Sequence, residues 1–278
     1  MRKIFILSIV LLSSSMPGFS AAEDPAQKFQ GFNLEGFAED GSKSWDVNGD
    51  TADILGAEVK LTNVDANSYG KQKMNVKAKT GFLNQTSGNM RLEKDVVITS
   101  EDGSQLVTDS LQWDRNNDLV TTDDKVKIMD QCFSAYGQGM EAKPGLKLAQ
   151  LHKDVTMYVD TQPGSTSDKV VTITSDGPVE IDQAVGKAKF KDNVVAVQGT
   201  RTLKADVMEV YFSEDMSTIK NMTCIGHVII IQGENKTTAE KAVYDAQTKK
   251  LTLTGRPKLI FLTEGEGAIT SIGDEKSR

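Results

Sequence analysis

The sequence predicts an all-β chain assembled from repeated antiparallel strand units. Three observations carry this: apolar residues alternate with polar ones at period two, turn-forming clusters interrupt the alternation, and one strand unit recurs at near-constant spacing. Met74, Val76 and Ala78 alternate with Asn75, Lys77 and Lys79. Val155, Met157 and Val159 alternate with Thr156, Tyr158 and Asp160, and Leu251 and Leu253 with Thr252 and Thr254. Successive strand side chains point to opposite faces, so this pattern gives one buried face and one wet face. Clusters at 85–89, 101–103, 115–118 and 246–250 supply the Gly, Asn and Asp that turns need. The run 228–231 is apolar at every position and predicts a strand covered on both sides.

The unit is a small or polar pair, an apolar alternation, a turn, and a polar cluster leading into Val-x-hydrophobic. Its marker residues, Ala78 and Val96, Thr108 and Val126, Gly137 and Val155, Asp176 and Val194, and Ala239 and Pro257, are each 18 apart. Ala205 and Val228 are 23 apart, which an insertion near 220–224 would explain. Unit starts step by 30, 29, 39, 29 and 34 residues. A fixed period means one supersecondary unit used repeatedly, with neighbours stacked to bury a common core. The long step contains the apolar-free stretch 161–168, read as a linker. The expected organisation is a module at 25–160, a second at 169–264 and a loose tail at 265–278.

Residues 1–22 read as a secretory signal: Arg2 and Lys3, a short apolar run over 4–12, and small residues Ser20 and Ala22 placing cleavage after Ala22. The run is too short for the roughly 20 residues of a spanning helix. The expected location is therefore the periplasm. Removing Arg2 and Lys3 takes the net charge from −7 to −9, which argues against nucleic acid and a general grip on anionic membranes. Cys132 and Cys224 are read as two buried free thiols.

The residues offer little chemistry. His152 and His227, the two histidines, each precede a repeated valine and read as turn-edge residues, not as metal ligands, which come in clusters of three or four. No Ser–His or Cys–His pairing supports nucleophilic catalysis. Asp114-x-Asn116-x-Asp118 begins like a calcium loop but has Leu119 and Lys125 where glycine and glutamate belong, so it reads as a hairpin turn. Gly137-x-Gly139-x-x-Ala142 matches a dinucleotide fingerprint, but Pro144 and Gly145 forbid the helix that must follow. No catalytic residue, metal or cofactor is assigned.

The order of short motifs resembles a known family. Val170 to Pro178, Ala188-Lys189-Phe190-Lys191-Asp192-Asn193-Val194, Leu203-Lys204-Ala205-Asp206, Gly226-His227-Val228, and Ala239-Glu240-x-Ala242-x-Tyr244-Asp245 resemble the LptA/OstA-like bridge proteins of lipopolysaccharide export. Trp45 with Ala52, Val76-x-Ala78-x-x-Gly81, Gly103-x-x-Leu106-x-Thr108-Asp109-x-Leu111, Thr121-Thr122-Asp123 and Gly137-x-Gly139 resemble the related LptC module. The resemblance implies two tandem open, twisted β-jellyrolls holding acyl chains in an apolar groove between sheets. It implies lipopolysaccharide or a related acyl lipid as cargo. The implied partners are inner-membrane ABC transporter components, an outer-membrane assembly protein, and further modules joined head to tail by strand edges. Two features depart from the family: its LptC-type members sit on an uncleaved membrane helix, and the two modules are normally separate chains.

The inward set expected to line the groove is Val96, Ile98, Leu111, Trp113, Val126, Ile128, Val155, Met157, Val194, Met208, Val210, Val228 and Ile230. Ordinary core packing is the competing reading for each, and for Phe190. The competing function is an envelope β-module that docks by its edges and binds no lipid.

Overall fold

The computed structural model describes residues 27–69, 73–130, 133–160, 170–213 and 218–260. The expected signal sequence, the linker, the 265–278 tail and Cys132 lie outside them. Among the described residues, seventeen strands form one antiparallel sheet. The first nine are β1 (Gln27–Phe37), β2 (Lys43–Leu55), β3 (Glu58–Ser68), β4 (Met74–Asn84), β5 (Met90–Ser100), β6 (Gln105–Asp114), β7 (Leu119–Met129), β8 (Phe133–Lys143) and β9 (Leu148–Asp160). Then follow β10 (Val170–Ser175), β11 (Val179–Asp182), β12 (Lys187–Gln198), β13 (Arg201–Phe212), β14 (Ile219–Gln232), β15 (Asn235–Asp245), β16 (Lys250–Thr254) and β17 (Lys258–Ile260). A 3-10 turn at Pro144–Leu146 is the one helical element among the described residues.

The sheet is a meander in which each strand pairs with the next. β10 and β11 are two halves of one interrupted strand between β9 and β12, and β16 and β17 likewise lie along β15. The interruptions fall at Asp176-Gly177-Pro178 and Gly255-Arg256-Pro257, where proline removes the backbone donor a ladder needs.

The same level of the sheet is bent in the unbroken strands. Lys94 and Asp95, Asp154, Asp192 and Asn193, and Gly226 and His227 take positive φ inside strands, and pairing register shifts there. A bulge of this kind bends its strand and increases its twist. Each bulge delivers a valine to the inner face opposite a small residue: Val96 faces Thr108, Val155 faces Ser175, Val194 faces Ala205 and Val228 faces Ala239. Val64 facing Ala78 and Val126 facing Gly137 complete the row. The repeat read in the sequence is therefore the hairpin register at the bend. The polar cluster before Val96, Val155, Val194 and Val228 is the bulge itself.

Two expectations are corrected by this. His152 lies within β9 and His227 within β14, so neither is at a turn edge. The extra residues of the 23-residue unit fall at the β13–β14 connection, where Phe212 pairs with Ile219, not at 220–224, which is regular β14. A third concerns the run 228–231: Val228 is buried, but Ile229, Ile230 and Ile231 are only half-buried. The calcium look-alike is a hairpin turn, with the Asn116 and Asn117 backbone N–H groups donating to Asp114 Oδ1 at 3.1 and 3.3 Å.

Burial is uneven along the meander. The largest apolar cluster runs from Val126 in β7 to Ala242 in β15, through Leu151, Met157, Ile173, Phe190 and Met208. It crosses the β9–β10 connection. There Val170 to Ser175 pair with Asp160 to Val155, and Val179 to Asp182 with Leu151 to Leu148. Two small clusters serve the first strands: Ala52, Val59, Leu61 and Val64, and then Ala78, Leu92, Val96 and Leu111.

Candidate functional site

The bend divides every long strand into two halves, so the sheet forms two walls meeting along the valine row. On the first wall one inward row can be followed from strand to strand by direct pairing. It begins Leu34, Val47, Ala66, Val76, Ile98. It continues Leu106, Ile128, Ala135, Met157 and then, across the β9–β10 connection, Ile173, Ala196. It ends Leu203, Ile230, Thr237, Leu259. Thr237 is the single polar member.

The second wall carries a matching row: Ile54, Val59, Leu83, Met90, Trp113, Val120. It runs on through Ala142, Ala149, Ile181, Ala188 to Val210, Met222, Tyr244 and Leu251. The two apolar rows flank the valine row on the same face of the sheet, with neither charge nor metal ligand in either row. Strict alternation would point Lys94, Lys153 and Asp192 inward, two residues before a floor valine. The left-handed residues at Lys94, Asp154 and Asp192 break the alternation there, and Lys94, Lys153 and Asp192 are all exposed.

The thirteen sequence-predicted residues fall on this surface. Val96, Val126, Val155, Val194 and Val228 form the floor and are buried. Ile98, Ile128, Met157 and Ile230 belong to the first-wall row, and Trp113 and Val210 to the second. Leu111 and Met208 lie one inward step deeper on the second wall. Ile98, Trp113, Ile128 and Ile230 are half-buried, the others buried. Sequence reasoning missed Leu106, Ile173 and Leu203, and the alanines 135, 142, 149, 188 and 196. Leu106 adjoins Val107, and Ile173 lies in Val170-Val171-Thr172-Ile173, where alternation is ambiguous. Alanine carries little periodic signal, and only its pairing with Met157 or Val210 places it.

The outer surface is mostly polar, with Tyr136, Tyr158, Val197 and Ile225 exposed on it. Lys187 Nζ lies 2.9 Å from Glu209 Oε1, and His227 Nδ1 lies 2.8 Å from Asp206 Oδ2. In β2, the buried Asp46 accepts from Asn67 Nδ2 at 2.8 Å, Tyr69 Oη at 2.8 Å and Lys43 Nζ at 2.8 Å. Those donors, Asn67 first, hold its carboxyl down at about 2. Cys224 points into the core, and burial pushes its thiol up to about 12, leaving it protonated and unreactive. Among the described residues no group of three His, Cys, Asp or Glu could hold a metal ion.

Comparison with known families agrees with this architecture. Residues 8–160 match the family described as lipopolysaccharide-assembly, LptC-related. Residues 172–274 match the family described as LptA/(LptD N-terminal domain) LPS transport protein. No curated protein matches the chain. The LptC-related match spans more than half of the 278 residues, and the chain belongs to the lipopolysaccharide-assembly, LptC-related family, with an LptA-like lipopolysaccharide-transport module following in the same polypeptide.

Proposed function

We propose that this protein is a periplasmic carrier in lipopolysaccharide export, holding acyl chains in the slot between its walls and covering two successive positions of the transport bridge with one chain. The observation that supports this most is the pair of apolar rows, which pass from β9 to β10 and β11 by direct pairing without a charged residue in either row. Transfer of a fatty chain out of water is worth ~0.8 kcal/mol per methylene, so a single charge in such a path would be a barrier. The division into modules at 25–160 and 169–264 belongs to the same reading, with the 161–168 linker joining strands that pair directly.

The two ends suit association with further modules. Among the described residues β1 pairs only with β2, and β16 and β17 only with β15. Each leaves an unpaired edge that a partner strand can extend. Such edges would meet inner-membrane transporter components at one end and an outer-membrane assembly protein at the other. Mass spectrometry of protein purified from an envelope fraction tests the reading. Co-purified lipopolysaccharide or another acyl lipid is expected. Lipid-free protein that cannot be loaded with lipopolysaccharide in vitro would sink it.

A further inference from the structure

We propose that the slot is two open bays separated by a shut section, so that an acyl chain passes from one bay to the other only when the walls part. This rests on the acyl-carrier reading and concerns how the slot works. The first-wall row shows the division. Val76, Ile98, Leu106 and Ile128 are half-buried, as are Leu203 and Ile230 at the other end. Between them Ala135, Met157 and Ile173 are at most 1% exposed. The second wall repeats this with an offset along the meander: Trp113, Val120, Ala142 and Ala149 are half-buried, with Ala142, Ala149 and Ile181 beside a cavity at the strand ends, Ala188 and Val210 are 0% exposed, and Tyr244 is half-buried again.

The lip of the first wall changes at the same place. Its inward positions are Ser68, Met74 and Ser100 toward the first strands and Gln198, Arg201 and Gln232 toward the last. In the middle they are Phe133, Val159 and Val171, with Val159 at 0% exposure. Of these three Val159 is fully covered, Val171 is 7% exposed and Phe133 is half-buried, and all are apolar where the lip elsewhere is mostly polar.

The composition of the shut section says how it opens. Met140, Met157, Met208 and Met222, four of the ten methionines, are buried there. Methionine is unbranched and repacks readily around changing neighbours. Apart from Ser175, whose hydroxyl donates to the Gly177 carbonyl at 3.2 Å, the inward residues of the section are apolar, so the walls part without breaking an ion pair between them. The apolar surface bared by parting is covered again by the entering acyl chain. Opening is then coupled to the presence of lipid, and the two bays hold cargo separately between passages.

Quenching by 9,10-dibromostearate, whose bromines quench an indole on contact, tests this in the full chain. Trp113 reports the first bay directly in a Trp45→Phe background. In a chain lacking both native tryptophans, Tyr244→Trp reports the second bay and Phe190→Trp the shut section. Strong quenching of Trp113 and of the Tyr244→Trp chain is expected. Quenching of the Phe190→Trp chain should be on the order of a tenth of that or less, the population of a minor open state. Equal quenching at all three positions would overturn the shut section while leaving the acyl-carrier reading standing. No quenching anywhere, Trp113 included, would remove both. Hydrogen exchange on the unmodified chain with and without stearate needs no variant to fold. Protection gained in β4–β7 but not in β10–β13 supports the division, and equal gains in both overturn it.

Discussion

Ile173→Ala tests whether the two family modules fold as one body. Ile173 has no exposed surface and sits in β10, opposite Met157 of β9 and Ala196 of β12. Truncating a fully buried isoleucine to alanine costs about 2–5 kcal/mol, transfer and cavity terms together. Both tryptophans, Trp45 in β2 and Trp113 in β6, lie in the first module, so their fluorescence reports that module alone. The largest core cluster and the β9 pairings with β10 and β11 both cross the connection. A defect in β10 must therefore reach the tryptophans. With a destabilisation of about 3 kcal/mol and a urea slope of about 3 kcal/mol/M, the fluorescence midpoint should fall by about 1 M. Far-UV circular dichroism should move with it. An unchanged tryptophan transition, with an earlier separate transition in circular dichroism, would show two independent modules and refute the argument.

Three further outcomes follow from single sites. Asp46 has a folded-state pKa lowered from 3.8 to about 2, so its contribution to stability is present above 3.8 and lost as pH falls toward 2. Asp46→Asn should lower stability at neutral pH and flatten its dependence across that window, as read by urea titrations at several pH values. Gly139 has φ of +75° in β8, and a Cβ there would lie 2.7 Å from His152 Nδ1. Gly139→Ala should cost about 1–2 kcal/mol from the left-handed backbone alone, measured by chemical denaturation. Cys224 should resist iodoacetamide in the folded protein and react in denaturant, which peptide mass spectrometry can read at that residue.

The fold was legible because the repeat marks geometry and not merely composition. Ala78 and Val96, or Thr108 and Val126, keep their separation because they sit at the bend on adjacent strands of equal hairpins. What sequence could not supply was the meaning of the polar residues between. Lys94-Asp95 and Asp192-Asn193 look like turn residues, and they do take turn-like dihedrals, but inside β5 and β12. Local chemistry specifies positive φ without saying whether the chain reverses there. The slot was half legible for a related reason. Alternation gives the inward face of each strand, whereas the depth of Val96 against Ile98 depends on where the strand bends. The difference between Ile98 and Ile173, chemically alike and in the same row, depends on what lies across from them, which no local pattern encodes.

The bend also explains how one register secures both walls. Because each unbroken long strand crosses the valine floor, its two halves cannot slip independently. A slip by one residue would turn Val96, Val155 and Val194 outward and send their flanking charged residues in. Burying Lys94 or Asp192 unpaired would cost several kcal/mol each, far more than the about 1–2 kcal/mol of a left-handed residue at the bulge. The strained backbone at the bulges is thus the smaller of two penalties, and apart from Lys94 it falls on Gly226, His227 and the Asp and Asn residues 95, 154, 192 and 193, types that tolerate positive φ best. An apolar track spanning this many strands needs its register fixed at every step, since one slipped hairpin would place a charge in the path of the chain it carries. The repeated bulge supplies that fixation where the β9–β10 connection is longest, with Asp154 on one side and the Asp176-Gly177-Pro178 interruption on the other, so the join between the modules is held to the same inward face as every hairpin within them.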